Sequence, residues 1–434
     1  MDIQTLSHYV LGPVRLWTVD REEPSQYIEV RDGRIQKISG QPPSDTSIPK
    51  IDGKNFVLMP AGVDAQVHLR VPGQEHKETA ETGLMAAVKG GYAAILTMPN
   101  TKPVIDNVKV LKEAMDSVRT YEERFGVRVF WTAAITENLS SSKVTPIEDL
   151  AKAGIKALTN DGLGVLSDEV MEESFKRLAP LGIPLLQHAE FLGHGGSLAP
   201  SSVQESLKVK PYPESAEIDM VVRDLKVLKK CPEARYHILH ITSGKVVPLV
   251  REAREQGLKV TCEVTPHHLY FSGEDIDPKN TSFKMNPPLR SPEDRQLLWE
   301  GLENGDVDFV STDHAPHEPL VKSGSFDEVA FGTLGLETTL GVLTWGYREG
   351  KLSRRRWVEV FSLKPAQFLG LDSSYGDLQV GQEIRGILFD LEAPDHLIQE
   401  KDFSSLSKNS CFIGSHLPGK LIKSFLGSKV ISCE

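Results

Sequence analysis

Eight short apolar runs, each leading into polar residues and separated by enough chain for a crossover helix, constrain this sequence more than any other feature. They are Phe56 to Val67, Tyr92 to Met98, Val129 to Ala134, Ile155 to Thr159, Ile183 to Gln187, Tyr236 to Leu239, Leu258 to Val264 and Val307 to Ser311. Runs without alternation read as strands buried on both faces, and the stretches between them, such as Glu81 to Lys89 and Asp219 to Lys229, suit helices. Eight such units imply an α/β fold, a closed parallel (β/α)8 TIM-like barrel, with its chemistry at the carboxyl ends of the strands.

The two ends of the chain follow a different pattern. Tyr27 to Ile38 alternates around an Asp32-Gly33 turn, and Ile387 to Asp390 and Gly419 to Ile431 are short strands broken by glycine turns. Residues 1–55 and 376–434 are therefore expected to form one composite β-sandwich beside a barrel spanning 56–375. The Pro- and Ser-rich stretch Gln41 to Lys50 is read as a loop. A length of 434 residues accommodates this plan.

With 39% hydrophobic and 25% charged residues, the chain has the composition of a soluble globular protein. Its formal charge of -11 is spread without a basic tract, which argues against nucleic acid or an anionic membrane as partner. No apolar run approaches the ~18 residues that span a bilayer, and Met1 to Gln4 opens no signal peptide, so a cytoplasmic location is expected. Cys231, Cys262, Cys411 and Cys433 form no Cys-X-X-Cys pair and read as reduced thiols.

Imidazoles and carboxylates follow the runs in order: His68 after the first, Asp161 after the fourth, His188 after the fifth, His240 after the sixth and Asp313 after the eighth. Singly, each has an ordinary explanation, a packed histidine or a helix N-cap. Together, at one end of successive strands, they are nitrogen and oxygen donors suited to zinc and to a hydrolytic site with room for water. Gln66 and His68, two apart on a strand, point the same way.

The stretch Asp64-Ala65-Gln66-Val67-His68-Leu69-Arg70 resembles the His-X-His-X-Arg opening of the cyclic amidohydrolases, and most closely that of the long bacterial-type dihydroorotases. Further segments match that family's motifs in order: Met98-Pro99-Asn100-Thr101, Thr159-Asn160-Asp161-Gly162, His188-Ala189-Glu190, Leu239-His240-Ile241-Thr242-Ser243, Thr265-Pro266-His267-His268, Met285-Asn286-Pro287-Pro288 and Thr312-Asp313-His314-Ala315-Pro316-His317. The resemblance implies reversible hydrolysis and cyclisation between dihydroorotate and N-carbamoyl-aspartate in pyrimidine synthesis, with one or two zinc ions per chain. His68 would hold the more buried ion, and His188 and His240 the second. Asp161 would take the bridging place that hydantoinases give to a carboxylated lysine, in preference to the nearby Lys156. Asp313 would be the catalytic residue, accepting the proton of the attacking water and delivering it to the leaving ring nitrogen.

By the same resemblance, Arg70, Asn100 and His317 would hold the substrate carboxylate and Asn286 the ring. His267, His268, Glu190 and His314 would orient ligands, while His76 and His194 belong to loops. Gln66 stands where the family has its first histidine. An amide oxygen is a weak, neutral ligand, which implies a zinc content nearer one than two. A homodimer is expected. A second reading is a non-catalytic subunit supporting aspartate transcarbamoylase, and a third is an allantoinase or dihydropyrimidinase, which the Arg70, Asn100 and His317 set disfavours.

Overall fold

The computed structural model describes residues 2–191 and 193–433. Eight parallel strands follow one another around a barrel: β1 (Gly62–Val67), β2 (Tyr92–Thr97), β3 (Arg128–Ala133), β4 (Ala157–Thr159), β5 (Leu185–Gln187), β6 (Arg235–Ile238), β7 (Lys259–Val264) and β8 (Phe309–Val310). Helices cover the outside through one apolar face each. In Val108–Phe125 the buried positions are Val110, Leu111, Ala114, Val118 and Phe125, a helical spacing, and Asn107 caps the first turn through its side chain.

The seam between β8 and β1 closes through single contacts instead of a regular ladder. The His68 N–H donates to the His314 carbonyl at 2.9 Å. The Thr312 N–H donates to the buried Asp64 carboxylate at 3.2 Å. Burial pushes the Asp64 carboxyl up to about 7, against the hydrogen bonds it accepts from Thr312 and Gln66. At the opposite end Phe361 packs against Gly62 at the start of β1 and against the Tyr92 ring at the start of β2, with centroids 5.0 Å apart. A Cβ at Gly62 would lie 2.5 Å from the Phe361 ring, so only glycine fits there.

The run Phe56 to Val67 is two strands, not one. Val57–Pro60 belongs to the terminal sheet, between His8–Trp17 and Arg385–Asp390, and only after Ala61 does the chain enter the barrel. The expected boundary between residues 55 and 56 therefore falls one strand early. Both strands are wholly buried, and apolarity records burial without saying which sheet a strand joins.

The terminal layer is one continuous nine-stranded sheet built from both ends of the chain. Its two arms enclose their own core, including Tyr9, Leu11, Ile28, Leu388 and Phe425, with Tyr9 and Phe425 stacked at 6.0 Å. The Asp32-Gly33 turn has φ of 48° and 74°, both positive, as a two-residue hairpin turn requires. A second departure lies near the C-terminus. Residues 391–417, expected within the sandwich, leave it through the pair His396–Leu397 and His416–Leu417, and residues 403–412 lie against the barrel. Among the described residues no helix is long and apolar enough to cross a membrane.

Candidate metal centre and anion receptor

The carboxyl ends of the strands bring the sequence-predicted donors into one buried cluster. Three non-glycine residues there hold left-handed backbone, Arg70 at φ 63°, His240 at 32° and Asp313 at 46°. Each such conformation costs about 1–3 kcal/mol and persists only where its surroundings enforce it.

Asp161 is the hub. Its Oδ1 lies 3.6 Å from His188 Nδ1 and 3.5 Å from His240 Nε2, and those two ring nitrogens face each other at 3.0 Å. Its Oδ2 lies 3.1 Å from His68 Nε2, which also meets Asp313 Oδ1 at 3.0 Å. Two donor triads thus share one carboxylate, and within each triad the donor atoms lie within 4.8 Å of one another. One triad offers two imidazoles and a carboxylate, the other an imidazole and two carboxylates, a chemistry that fits zinc.

Neighbouring side chains orient the rings from outside. His188 Nε2 meets Glu190 Oε2 at 3.1 Å, and Asn286 Nδ2 donates to the same Glu190 oxygen at 2.7 Å. Asn100 Oδ1 meets His68 Nδ1 at 2.9 Å, while its Nδ2 donates to the Asp161 carbonyl at 3.2 Å. Such contacts select which ring nitrogen faces a ligand. Burial disfavours a charged His68, but hydrogen bonds to Asp161 and then Asp313 outweigh it and lift the ring to about 9. His188 is raised to about 10 by Asp161 and Glu190 against the same burial cost. Asp161 is held well below the carboxylate range, its burial outweighed by His188, His240 and His68. Concentrated negative charge of this kind favours any cation, a proton or a metal ion.

Gln66 is fully buried beside the hub. Its Nε2 donates to Asp161 Oδ2 at 3.2 Å, and its Oε1 has no partner among the described residues. Lys156 does not share this environment; its ammonium lies over the Phe130 ring, 5.4 Å from the centroid.

Arg70 and His317 form a second unit. Arg70 is 7% exposed and, among the described residues, has no carboxylate at ion-pair distance. Its Nε donates to the Pro316 carbonyl and its Nη2 meets His317 Nε2, both at 3.2 Å. Burial draws the guanidinium down to about 10, still cationic near neutral pH. Burial, then the Arg70 charge, pushes His317 down to about 2, so the ring is neutral. A neutral ring that accepts at Nε2 carries its proton on Nδ1. That buried nitrogen has no partner among the described residues. A guanidinium without a carboxylate at ion-pair distance, beside an unused N–H, has the chemistry of a candidate anion receptor.

Asn286 keeps a buried Oδ1 with no partner among the described residues. Asn100 is engaged with His68 and the Asp161 backbone. His268 bonds Thr265 Oγ1 at 2.7 Å and the Pro287 carbonyl at 3.1 Å, and His314 Nε2 lies 3.4 Å from Glu78. His267 is buried and neutral, pushed down to about 4 by burial, with neither ring nitrogen partnered. His76 and His194 are exposed. Glu78 and Asn409 were missed from sequence: each acts through contacts made far along the chain. A cavity of about 510 Å³ between Lys89, Glu337 and Phe389 contains none of the donors.

A parallel barrel with zinc-type donors at its carboxyl ends defines a metal-dependent hydrolase scaffold. Residues 57–422 match the amidohydrolase family. The dihydroorotase of Bacillus subtilis is 38% identical over 384 residues, covering 88% of each chain. That of Listeria monocytogenes serovar 1/2a is 36% identical over 430 residues, 98% of this chain and 99% of its own. The chain belongs to the amidohydrolase family and groups with its dihydroorotases. Among solved structures, an L-hydantoinase from Arthrobacter aurescens superposes with a TM-score of 0.82 at 26% identity, covering 96% of this chain and 94% of its own. A Thermus D-hydantoinase shares the fold, with a TM-score of 0.83 at 20% identity over 98% of this chain and 96% of its own.

Proposed function

We propose that this chain is a zinc-dependent dihydroorotase, interconverting dihydroorotate and N-carbamoyl-aspartate in cytoplasmic pyrimidine synthesis. The observation that carries the reading is the anion receptor. Among the described residues Arg70 is a buried cation with no carboxylate at ion-pair distance, and it lies two residues beyond His68 of the cluster. Dihydroorotate has the ring carboxylate such a receptor needs; uncharged dihydrouracil does not.

In this reading His188, His240 and Asp161 would hold one zinc, and His68, Asp161 and Asp313 the other. Bound zinc lowers the pKa of water towards ~7 and polarises an amide carbonyl. Arg70 and His317 Nδ1–H fix the carboxylate and so set which ring bond faces Asp313. Asp313, with Oδ1 on His68, keeps its other oxygen to take a proton from water and return it to the departing ring nitrogen. Asn286 Oδ1 is available to accept from a ring N–H. Purified protein should contain zinc and hydrolyse dihydroorotate at least about ten-fold faster than dihydrouracil, since a charge-assisted bond contributes about 1.5–3 kcal/mol. Equal rates on both would sink the reading.

One observation favours the alternative of a subunit that supports aspartate transcarbamoylase without catalysis. Gln66 donates to the hub oxygen that also faces His68, competing with a metal for it. Zinc-loaded protein inert on dihydroorotate but co-purifying with a transcarbamoylase would favour that reading. A homodimer is the assembly expected in either case.

A further inference from the structure

The loop after β8, Asp313 to His317, carries both Asp313 and His317, and residues 403–412 hold it from outside. Ser405 Oγ donates to Glu78, the Leu406 N–H donates to Glu78 Oε1 at 2.8 Å, and Glu78 Oε2 faces His314. The Cys411 N–H donates to Thr333 Oγ1 at 2.9 Å. Between these lies Asn409, 6% exposed. Its Oδ1 accepts the His317 N–H at 2.9 Å. Its Nδ2 donates to the carbonyls of Ala315 at 3.0 Å and Gly332 at 3.1 Å. Both amide protons and the oxygen are thus spent on main chain, two of the three bonds on the segment that ends in His317.

We propose that Asn409 is a positioning residue: it sets the register of His317 against Arg70 and thereby selects ring substrates that bear a carboxylate. The inference rests on the dihydroorotase reading of the site. Asn409 acts through His317 and touches neither the reacting amide nor the donor triads. Removing its side chain leaves the His317 N–H and the Ala315 carbonyl without that partner, while the Gly332 carbonyl still accepts from Lys322 Nζ at 3.1 Å, and it frees the loop to shift. A misplacement of about 1 Å can cost as much as 10²-fold when a clamp on the substrate is lost.

The test uses the full chain loaded with zinc, as wild type, Asn409→Ala and Asn409→Ser, and reads melting temperature, bound metal, steady-state kinetics and equilibrium binding of orotate, a planar ring with the same carboxylate. In Asn409→Ala, KM for dihydroorotate should rise at least about ten-fold with kcat within about two-fold, the pattern of lost substrate binding. Orotate affinity should fall in parallel and bound zinc stay constant. Asn409→Ser, which keeps a short polar group, should lie between. A folded Asn409→Ala with unchanged KM and orotate affinity overturns the proposal. So does a joint loss of metal and kcat, or failure of both variants to fold, since each marks a purely structural role. If the wild type does not hydrolyse dihydroorotate, the dihydroorotase reading fails, and the orotate titration decides separately. Binding weakened about ten-fold or more in Asn409→Ala upholds the positioning role, whereas absence of orotate binding by the wild type overturns it.

Discussion

The two donor triads share Asp161 but are not equivalent. On the side of His188 and His240, two imidazoles converge to 3.0 Å and Glu190 fixes one ring from behind. On the side of His68, one imidazole meets two carboxylates, and the place beside it is filled by an amide that donates to Asp161 while its own oxygen is unpartnered. The difference teaches that a barrel can keep two donor triads around one shared carboxylate while changing the side-chain chemistry beside one of them. A carboxamide is neutral, and it presents a donor to the very oxygen a cation would use.

The largest effects should come from the group the halves share. Asp161→Ala removes a ligand from both triads, so zinc content by elemental analysis should fall well below one per chain and activity to background. Asp313→Asn touches only the His68 half. It should keep the zinc of the other half and lower kcat by about 10²–10⁴-fold, the range for loss of a general acid and base. If Asp161→Ala retained metal while Asp313→Asn lost it, the assignment of the hub would be reversed.

Next in size is Arg70→Met, which tests whether the receptor is separate from both halves. It should lower kcat/KM for dihydroorotate by about ten- to a hundred-fold, the loss of a charge-assisted bond of about 1.5–3 kcal/mol, with metal content unchanged. A variant that lost zinc in proportion to activity would show that Arg70 supports the cluster instead of the substrate.

How much of this was legible follows from where the contacts run. Barrel strands appear as apolar runs because burial on both faces leaves no alternation, and the donors follow them because strand ends are where a barrel presents polar groups. The split within Phe56 to Val67 was hidden for the same reason: two sheets bury their strands equally well. Residues 403–412, Phe-Ser-Ser-Leu-Ser-Lys-Asn-Ser-Cys-Phe, have no period to read, and Ser405 reaches Glu78 across 327 residues of sequence. Which nitrogen of His317 is unused, or which end of the Gln66 amide meets Asp161, is set by neighbours that only folding assembles.

Placing an imidazole at position 66 should make the halves alike. After mild chelation the wild type is expected to retain nearer one zinc than two, held by His188 and His240. Gln66→His should raise both retained zinc and turnover, by about ten-fold or more if one ligand matters at least as much as the outer contacts whose loss typically costs 10–100-fold. Two zincs surviving chelation in the wild type, or no change in the variant, would show that Gln66 does not limit this half.

The smallest effect bears on what bridges the two halves. Lys156 immediately precedes β4, whereas Asp161 lies just beyond its carboxyl end, and a lysine carboxylated at its amine would be the competing bridge. Its ammonium instead lies over the Phe130 ring, a cation–π contact contributing about 0.5–1 kcal/mol at a partly exposed site. Lys156→Ala should therefore leave zinc content, KM and kcat unchanged and lower the melting temperature only slightly. Activity that depended on added bicarbonate, or that vanished in Lys156→Ala and returned with a short-chain carboxylate in the buffer, would transfer the bridging role from Asp161 to Lys156.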